Sequence, residues 1–331
     1  METYSVFGLS VMQTEILYEL ERKIIVNDIC LSEKKIEIKN DWLSEWNKSI
    51  RTYLRDTLHI NNIQIFNSFT TDNVLKECIS HADSNNNVWK YMVLLECVLF
   101  SGYYPFKKED TKKYKGLSMS KQAKRDVLEK IAKDYLEVDP KYIDLFRKAF
   151  ENSIKRMSNY WLKVLGVSLG VIALVLIAIL TYQYEILGLF AAEGTSGAAA
   201  ITSGLAALGG GAIAAGGGGV AAGTAVFVGG GILLGTAVGI PSGLFVATAT
   251  NSKLVLSQAA KMEVVLKEIV LAIQKDTAYF QKVLLNLQEQ TSALTAELQK
   301  MKMDEQNNKK KISELQKSIK YLESVIIAVQ K

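Results

Sequence analysis

The chain has 331 residues and a formal net charge of +5, from 39 Lys and Arg against 34 Asp and Glu, which allows two or three domains by length. Its three widely spaced cysteines, Cys30, Cys78 and Cys97, are an odd number and argue against a disulfide framework. The 49% hydrophobic content is unevenly spread: 18 of the 23 glycines lie between Gly188 and Gly243, separating a charged N-terminal part, an almost uncharged middle and a charged C-terminal part.

Residues 1–160 read as a helical bundle. METYSVFGLSVMQTEILYELERK has no basic region ahead of an apolar run and no small-residue cleavage site, so nothing there resembles a secretory signal and this part is expected in the cytoplasm. Apolar positions recur at helical spacing through Ile16, Leu17, Leu20 and Ile24, then Val88, Met92, Leu95 and Leu99, then Val127, Leu128, Ile131 and Tyr135. Breakers separate them: DSNNN at 83–87, Gly102, Pro105, Gly116 and Asp139-Pro140. Ser118 or Ser120 is placed to cap SKQAKRDVLEKIAKDYL, and Asp139 with Pro140 to start the next helix.

WKYMVLLECVLFSGYYPF, followed after an insertion by LSMSKQAKRDVLEKIAKDYLEVDPKYIDLFRKAFE, resembles the helical TerB-like domain over residues 88–151. In that family an apolar helix ends near a glycine, a polar loop follows, and the next helix carries an L..IA..L.. pattern. The resemblance implies a sensing or docking module of the kind found in bacterial stress and phage-defence proteins. The family's loop Asp-Gly and Glu are replaced here by Ser101-Gly102 and the basic run KKEDTKKYK, so the metal binding attributed to such domains does not carry over. Lys107, Lys108, Lys112, Lys113 and Lys115 form a candidate patch for anionic lipid or an oligonucleotide, the alternative being a solvated loop.

Residues 161–252 read as a transmembrane segment. Lys163 and Glu185 bracket 21 uncharged residues, and Glu193 and Lys253 bracket 59 more; a helix needs about 20 apolar residues to cross the hydrocarbon core. The alternative is a buried hairpin in a soluble protein. Two period-four ladders of small residues run through it, Ser203-Ala207-Gly211-Ala215-Gly219-Gly223 and Gly231-Gly235-Gly239-Gly243. Each drifts by about 40° per step on a helix, so the small residues form a shallow groove in which backbones pack closely, the device that replaces the hydrophobic effect in lipid. A flexible glycine linker is the alternative for GGGAIAAGGGG. Pro241 removes one intrahelical bond and predicts a kink. Tyr160 and Trp161 read as an interfacial belt. Glu185 and Glu193, the only charges between Lys163 and Lys253, are candidates for a pore mouth or for an interfacial turn.

Charge sets an expected orientation. Residues 107–163 carry 16 Lys and Arg against 9 Asp and Glu, and 253–331 carry 13 against 9; basic flanks mark the cytoplasmic side. Two basic flanks call for an even number of crossings, whereas the apolar lengths suggest three, so a re-entrant segment and an arm on the outer side both stay open.

Residues 253–331 read as a coiled-coil arm. No glycine or proline follows Gly243, and a 4-3 spacing runs without a slip from Leu266 to Val329. Its seam includes Leu266, Ile273, Leu284, Leu287, Leu294, Leu298, Ile312, Leu315, Ile319, Leu322 and Ile326. Ile at a with Leu at d in the last heptads favours two parallel strands. Glu305 and Asn308 interrupt the seam within DEQNNKKK, where the arm either continues as a rod of about 118 Å or folds back into a hairpin; the preserved heptad phase favours the rod.

Little points to catalysis. Cys78 and His81 have the spacing of half a zinc site, but no CxxC or HxxxH completes it. Only two histidines occur, His59 and His81, and no nucleophile elbow, Walker loop or dinucleotide fingerprint is present. The expectation is an all-α, non-enzymatic protein without cofactor: a cytoplasmic helical bundle, glycine-zipper transmembrane helices and a long C-terminal coiled coil, multi-pass in the inner membrane. This arrangement resembles the membrane effectors of bacterial phage defence, such as the channel-like effectors of Hailong-type systems. The resemblance implies a homo-oligomeric pore or ion channel acting on the lipid bilayer, with a regulator or oligonucleotide at the N-terminal domain. A membrane-anchored coiled-coil tether and an α-helical pore-forming toxin are the alternatives.

Overall fold

The computed structural model describes residues 9–56, 62–67, 70–82, 87–103, 112–158, 252–303 and 305–331. All regular structure among them is helical, in agreement with an all-α chain. The helices are α1 (Val11–Cys30), α2 (Ile36–Asp56), α3 (Asp72–His81), α4 (Val88–Leu99), α5 (Lys121–Lys130), α6 (Lys141–Met157), α7 (Ser252–Val264), α8 (Thr277–Met303) and α9 (Glu305–Gln330). The described residues divide into two units, 9–147 and 148–158 with 252–331.

In the first unit α1 is central, touching α2, α3, α4 and α5. Ser10 and Gln13 start it with a capping box: the Gln13 amide N–H donates to Ser10 Oγ at 3.2 Å, and the Ser10 N–H donates to Gln13 Oε1 at 2.8 Å, an arrangement worth about 1 kcal/mol. Because neighbours surround it, α1 buries acids as well as apolar residues. Ile16, Leu17, Leu20 and Ile24 are buried, and so are Glu15, Glu19, Glu21 and Asp28. α2 supplies the aromatic side of the core, where Trp42 and Trp46 stack at 6.1 Å and Trp46 meets Phe66 edge-on at 5.6 Å.

The stretch after α4 is held tightly. A Cβ on Gly102 would lie 2.2 Å from Ile25 Cδ1, so any larger residue there would have to displace the Ile25 side chain of α1. Tyr103 follows with a left-handed φ of 68°. Ser120, one of the two expected caps, closes α5 by accepting from the Ala123 N–H at 3.3 Å. The Asp139 carboxylate accepts from the Lys141 N–H at 2.9 Å where α6 begins. α5 runs on into a π-helical stretch, Ile131–Tyr135.

In the second unit α7 runs on into the π-helical Val265–Gln274, which ends at Lys275 with a left-handed φ of 57°. α7 and α8 both pack on α9. Thr291 and Ser292 of α8 line one groove with Glu323 and Ile326 of α9, which places the two helices side by side. The continuous rod expected from the heptad phase is therefore corrected: the helix breaks at Lys275-Asp276, and α9, which begins at Glu305, lies along α8. The seam is covered within one chain. Leu266, Leu287, Leu294, Leu315 and Leu322 are fully buried; Leu284, Leu298, Ile312 and Ile319 are buried, while Ile273 and Ile326 are half-buried. An apolar a/d seam is satisfied equally by a second copy or by the next helix of its own chain, and here the next helix takes it.

The expected location, multi-pass in the inner membrane with the N-terminal domain in the cytoplasm, also needs correction. Among the described residues no helix is long and apolar enough to cross a membrane. The long helices are too charged: α1 carries Glu15, Glu19, Glu21, Arg22 and Lys23 within nine positions, and α9 carries six lysines and acids from Glu305 to Lys317. The expected spans around 164–184 and 224–246, with Gly211, Gly219, Gly223, Gly231, Gly235, Gly239, Gly243, Glu185 and Glu193, lie outside the described residues.

Candidate functional site

The buried acids of α1 are the first places to look for chemistry, because a desolvated carboxylate needs a partner or a proton. Asp28 is 1% exposed and has one. Its Oδ2 accepts from Lys39 Nζ at 2.5 Å and from the Tyr103 hydroxyl at 2.6 Å, and its Oδ1 accepts from the Ser120 N–H at 2.7 Å. Lys39 also donates to Ser32 Oγ at 2.8 Å and lies 4.8 Å from the centre of the Tyr103 ring. Burial first, then the Asp28 carboxylate, drives the Tyr103 phenol far above its ordinary value. Lys39, Tyr103 and Ser120 all donate to the one carboxylate. The cluster is a knot joining α1, α2, the post-α4 stretch and α5.

Glu15 and Glu19 follow the same logic. Glu15 accepts from the backbone N–H groups of Ile65 at 2.8 Å and Gln64 at 3.1 Å, fixing the loop between α2 and α3. Glu19 takes both Arg22 nitrogens, at 2.6 and 2.7 Å. Burial raises the pKa of both carboxyls, against the hydrogen bonds that lower it. Lys124 donates to the last carbonyls of α4, Val98 at 2.8 Å and Phe100 at 2.6 Å, and burial lowers its pKa to about 8.

The expected basic patch is only partly in view. Lys107 and Lys108 lie outside the described residues. Lys113 is engaged by Glu45 at 3.2 Å and Asp41 at 3.4 Å, while Lys112 and Lys115 are exposed. Cys78 and His81 sit near the end of α3, where a His81 ring nitrogen lies 2.8 Å from the Glu77 carbonyl. Among the described residues no group of three or more His, Cys, Asp or Glu is arranged to hold a metal.

The second unit brings together residues from the two sides of the uncharged segment. Ser153 and Arg156, on α6, precede it; Glu263, on α7, follows it. Ser153 Oγ donates to Glu263 Oε2 at 2.5 Å, Arg156 Nη1 donates to Oε1 at 2.8 Å, and Arg156 Nη2 donates to Oε2. The Glu263 side chain is 7% exposed and that of Arg156 42% exposed. Lys267, one turn on, reaches the same carboxylate at 4.0 Å and the Ala328 carbonyl at 3.4 Å. Ser153 and Arg156 are three apart and so share a helix face, which is how one carboxylate receives both. A comparison of the chain with family models, curated proteins and solved structures finds no match.

Sequence reasoning missed Glu263, Ser153 and the Asp28 cluster. The heptad register held one signal for Glu263, which lies three positions before the seam residue Leu266, a spacing that puts the acid on the buried side of its helix.

Proposed function

We propose that the chain is a membrane-active effector of the α-helical pore-forming kind. Two helical units present the uncharged, glycine-rich segment between Lys163 and Lys253, which enters a lipid bilayer and, with further copies of the chain, opens a path for ions. The observation that carries this reading is the clamp at Glu263. By tying residues 153 and 156 to residue 263, it anchors both flanks of the uncharged segment in one folded unit. The two glycine ladders then supply the contacts between copies, since close backbone packing drives association in lipid. The action is physical rather than catalytic.

The TerB-like resemblance of residues 88–151 suits a module that senses a trigger, of the kind found in bacterial stress and phage-defence proteins. A tether would need a free rod to present its partner, and the buried seam of α8 and α9 favours a compact support instead.

The test is leakage. Purified full-length protein is added to vesicles loaded with a self-quenched dye. Release is expected for the native chain and a loss of at least tenfold for Gly235→Leu, which fills the ladder groove. A native chain that binds vesicles without releasing dye, or a Gly235→Leu protein that leaks at the native rate, would refute the reading.

A further inference from the structure

The end of the second unit holds a cavity of about 360 Å³ between α6, the π-helical stretch and α9. Arg156, Lys267, Lys320 and Lys331 line it, with Glu323 as the one acidic side chain among the lining residues. Glu263 holds Arg156 and approaches Lys267 from the side, which fixes two of the four cations without neutralising the set. Among the described residues neither Lys320 nor Lys331 has an acidic partner. Cations gathered around one concave site raise its potential and draw anions to it. The same wall carries Ile327, which at 55% is one of the few large apolar side chains left exposed. A ligand that satisfies both features has an anionic head and an aliphatic part.

We propose that this cavity binds a phosphate ester with an aliphatic portion, the chemistry of an anionic phospholipid headgroup and its glycerol. Arg156, kept in place by Glu263, offers the phosphate the N–H donors that the carboxylate leaves over, since the guanidinium carries five. Lys320 and Lys331 close on the phosphate as point charges, and Ile327 covers the glycerol carbons. The position fits the ligand, because Arg156 lies eight residues ahead of Val164, where the uncharged run begins. The proposal rests on the membrane-active reading above and names what the flank of the inserting segment recognises.

Binding of full-length protein to vesicles of phosphatidylcholine, with and without phosphatidylglycerol, is measured by flotation. The Lys320→Gln/Lys331→Gln chain is compared with Lys112→Gln/Lys115→Gln, which removes the same charge from exposed lysines of the first unit. At about fivefold in affinity per surface cation removed, the cavity variant should bind phosphatidylglycerol vesicles about thirtyfold more weakly, and the control far less. Equal losses in the two variants would overturn the proposal. A second arm titrates soluble glycerol 3-phosphate by calorimetry. Binding there that the cavity variant abolishes, with no preference for phosphatidylglycerol, assigns the site to a free phosphate ester; no cavity-dependent binding in either arm overturns it. Vesicle binding is read apart from leakage. Cavity-dependent binding without leakage sinks the pore reading alone, and leakage with cavity-independent binding sinks the site alone.

Discussion

Removing Arg156 from Glu263 should loosen the support at the feet of the uncharged segment by an amount that can be worked from the geometry. Glu263 is nearly inaccessible and receives three donors, the Ser153 hydroxyl and two Arg156 nitrogens. A hydrogen bond to a charged group contributes about 1.5–3 kcal/mol when its loss leaves the charge buried. Arg156 is 42% exposed on its side chain, so water screens part of the interaction. Arg156→Met should therefore cost about 2 kcal/mol, near the lower part of the range. Glu263→Gln should cost slightly less, because the amide keeps one oxygen for Ser153. In the double variant the two losses should fall short of additivity by about 1 kcal/mol, the signature of a direct pair. Hydrogen exchange read by mass spectrometry on peptides covering 148–158 and 255–266 is the suitable assay, because it reports local opening in each helix. Protection in both peptides should drop together, by about thirtyfold for 2 kcal/mol. Strict additivity within about 0.3 kcal/mol, or loss of protection in one peptide alone, would show that the two flanks are not held by this pair.

Two further expectations concern the first unit. Asp28→Ala leaves the Lys39 ammonium buried without its carboxylate and should cost about 3–5 kcal/mol, whereas Asp28→Leu with Lys39→Met should cost much less, since exchanging both ends of a buried pair for apolar groups avoids the orphaned charge; denaturant unfolding followed by the fluorescence of Trp42 and Trp46, which stack beside the knot, compares the two. Burial raises the Glu15 carboxyl above its ordinary 4.5, so the folded state holds more protons than the unfolded one between 4.5 and the raised value, and stability falls as pH rises through that window. Glu15→Gln should flatten the slope of unfolding free energy against pH between 7 and about 4.5, and an unchanged slope would assign the titration to another group.

The parts of the fold visible in the sequence are those with a repeating physical signal. Ile16, Leu17, Leu20 and Ile24 announce α1 by their spacing, Ser120 and Asp139 announce helix starts by their chemistry, and the seam from Leu266 to Val329 announces long helices. The partners of the buried charges give no such signal. Asp28 meets Lys39 across 11 residues, Tyr103 across 75 and Ser120 across 92; Glu263 meets Ser153 across 110. Glu263 has one local hint, its place three residues before Leu266; nothing local distinguishes Asp28 from the exposed charges beside it, because what selects it is the arrival of donors from other parts of the chain.

The seam misled for a different reason, and the correction bears on assembly. Heptad spacing states that a helix has one apolar stripe; it does not state whether the stripe meets a second chain or the same chain after a turn. DEQNNKKK interrupts the stripe with polar residues that need water, while α8 and α9 close Leu287, Leu294, Leu315 and Leu322 away from solvent. Burying one such leucine fully is worth about 1.5–3 kcal/mol relative to exposure, so opening the hairpin to form an intermolecular coiled coil would first have to give up several of these contributions. The arm is thus already satisfied within one chain. If copies of this protein assemble, the contacts that bring them together must come from surface the arm does not use, and the glycine ladders of the uncharged segment are the sequence feature best suited to provide them.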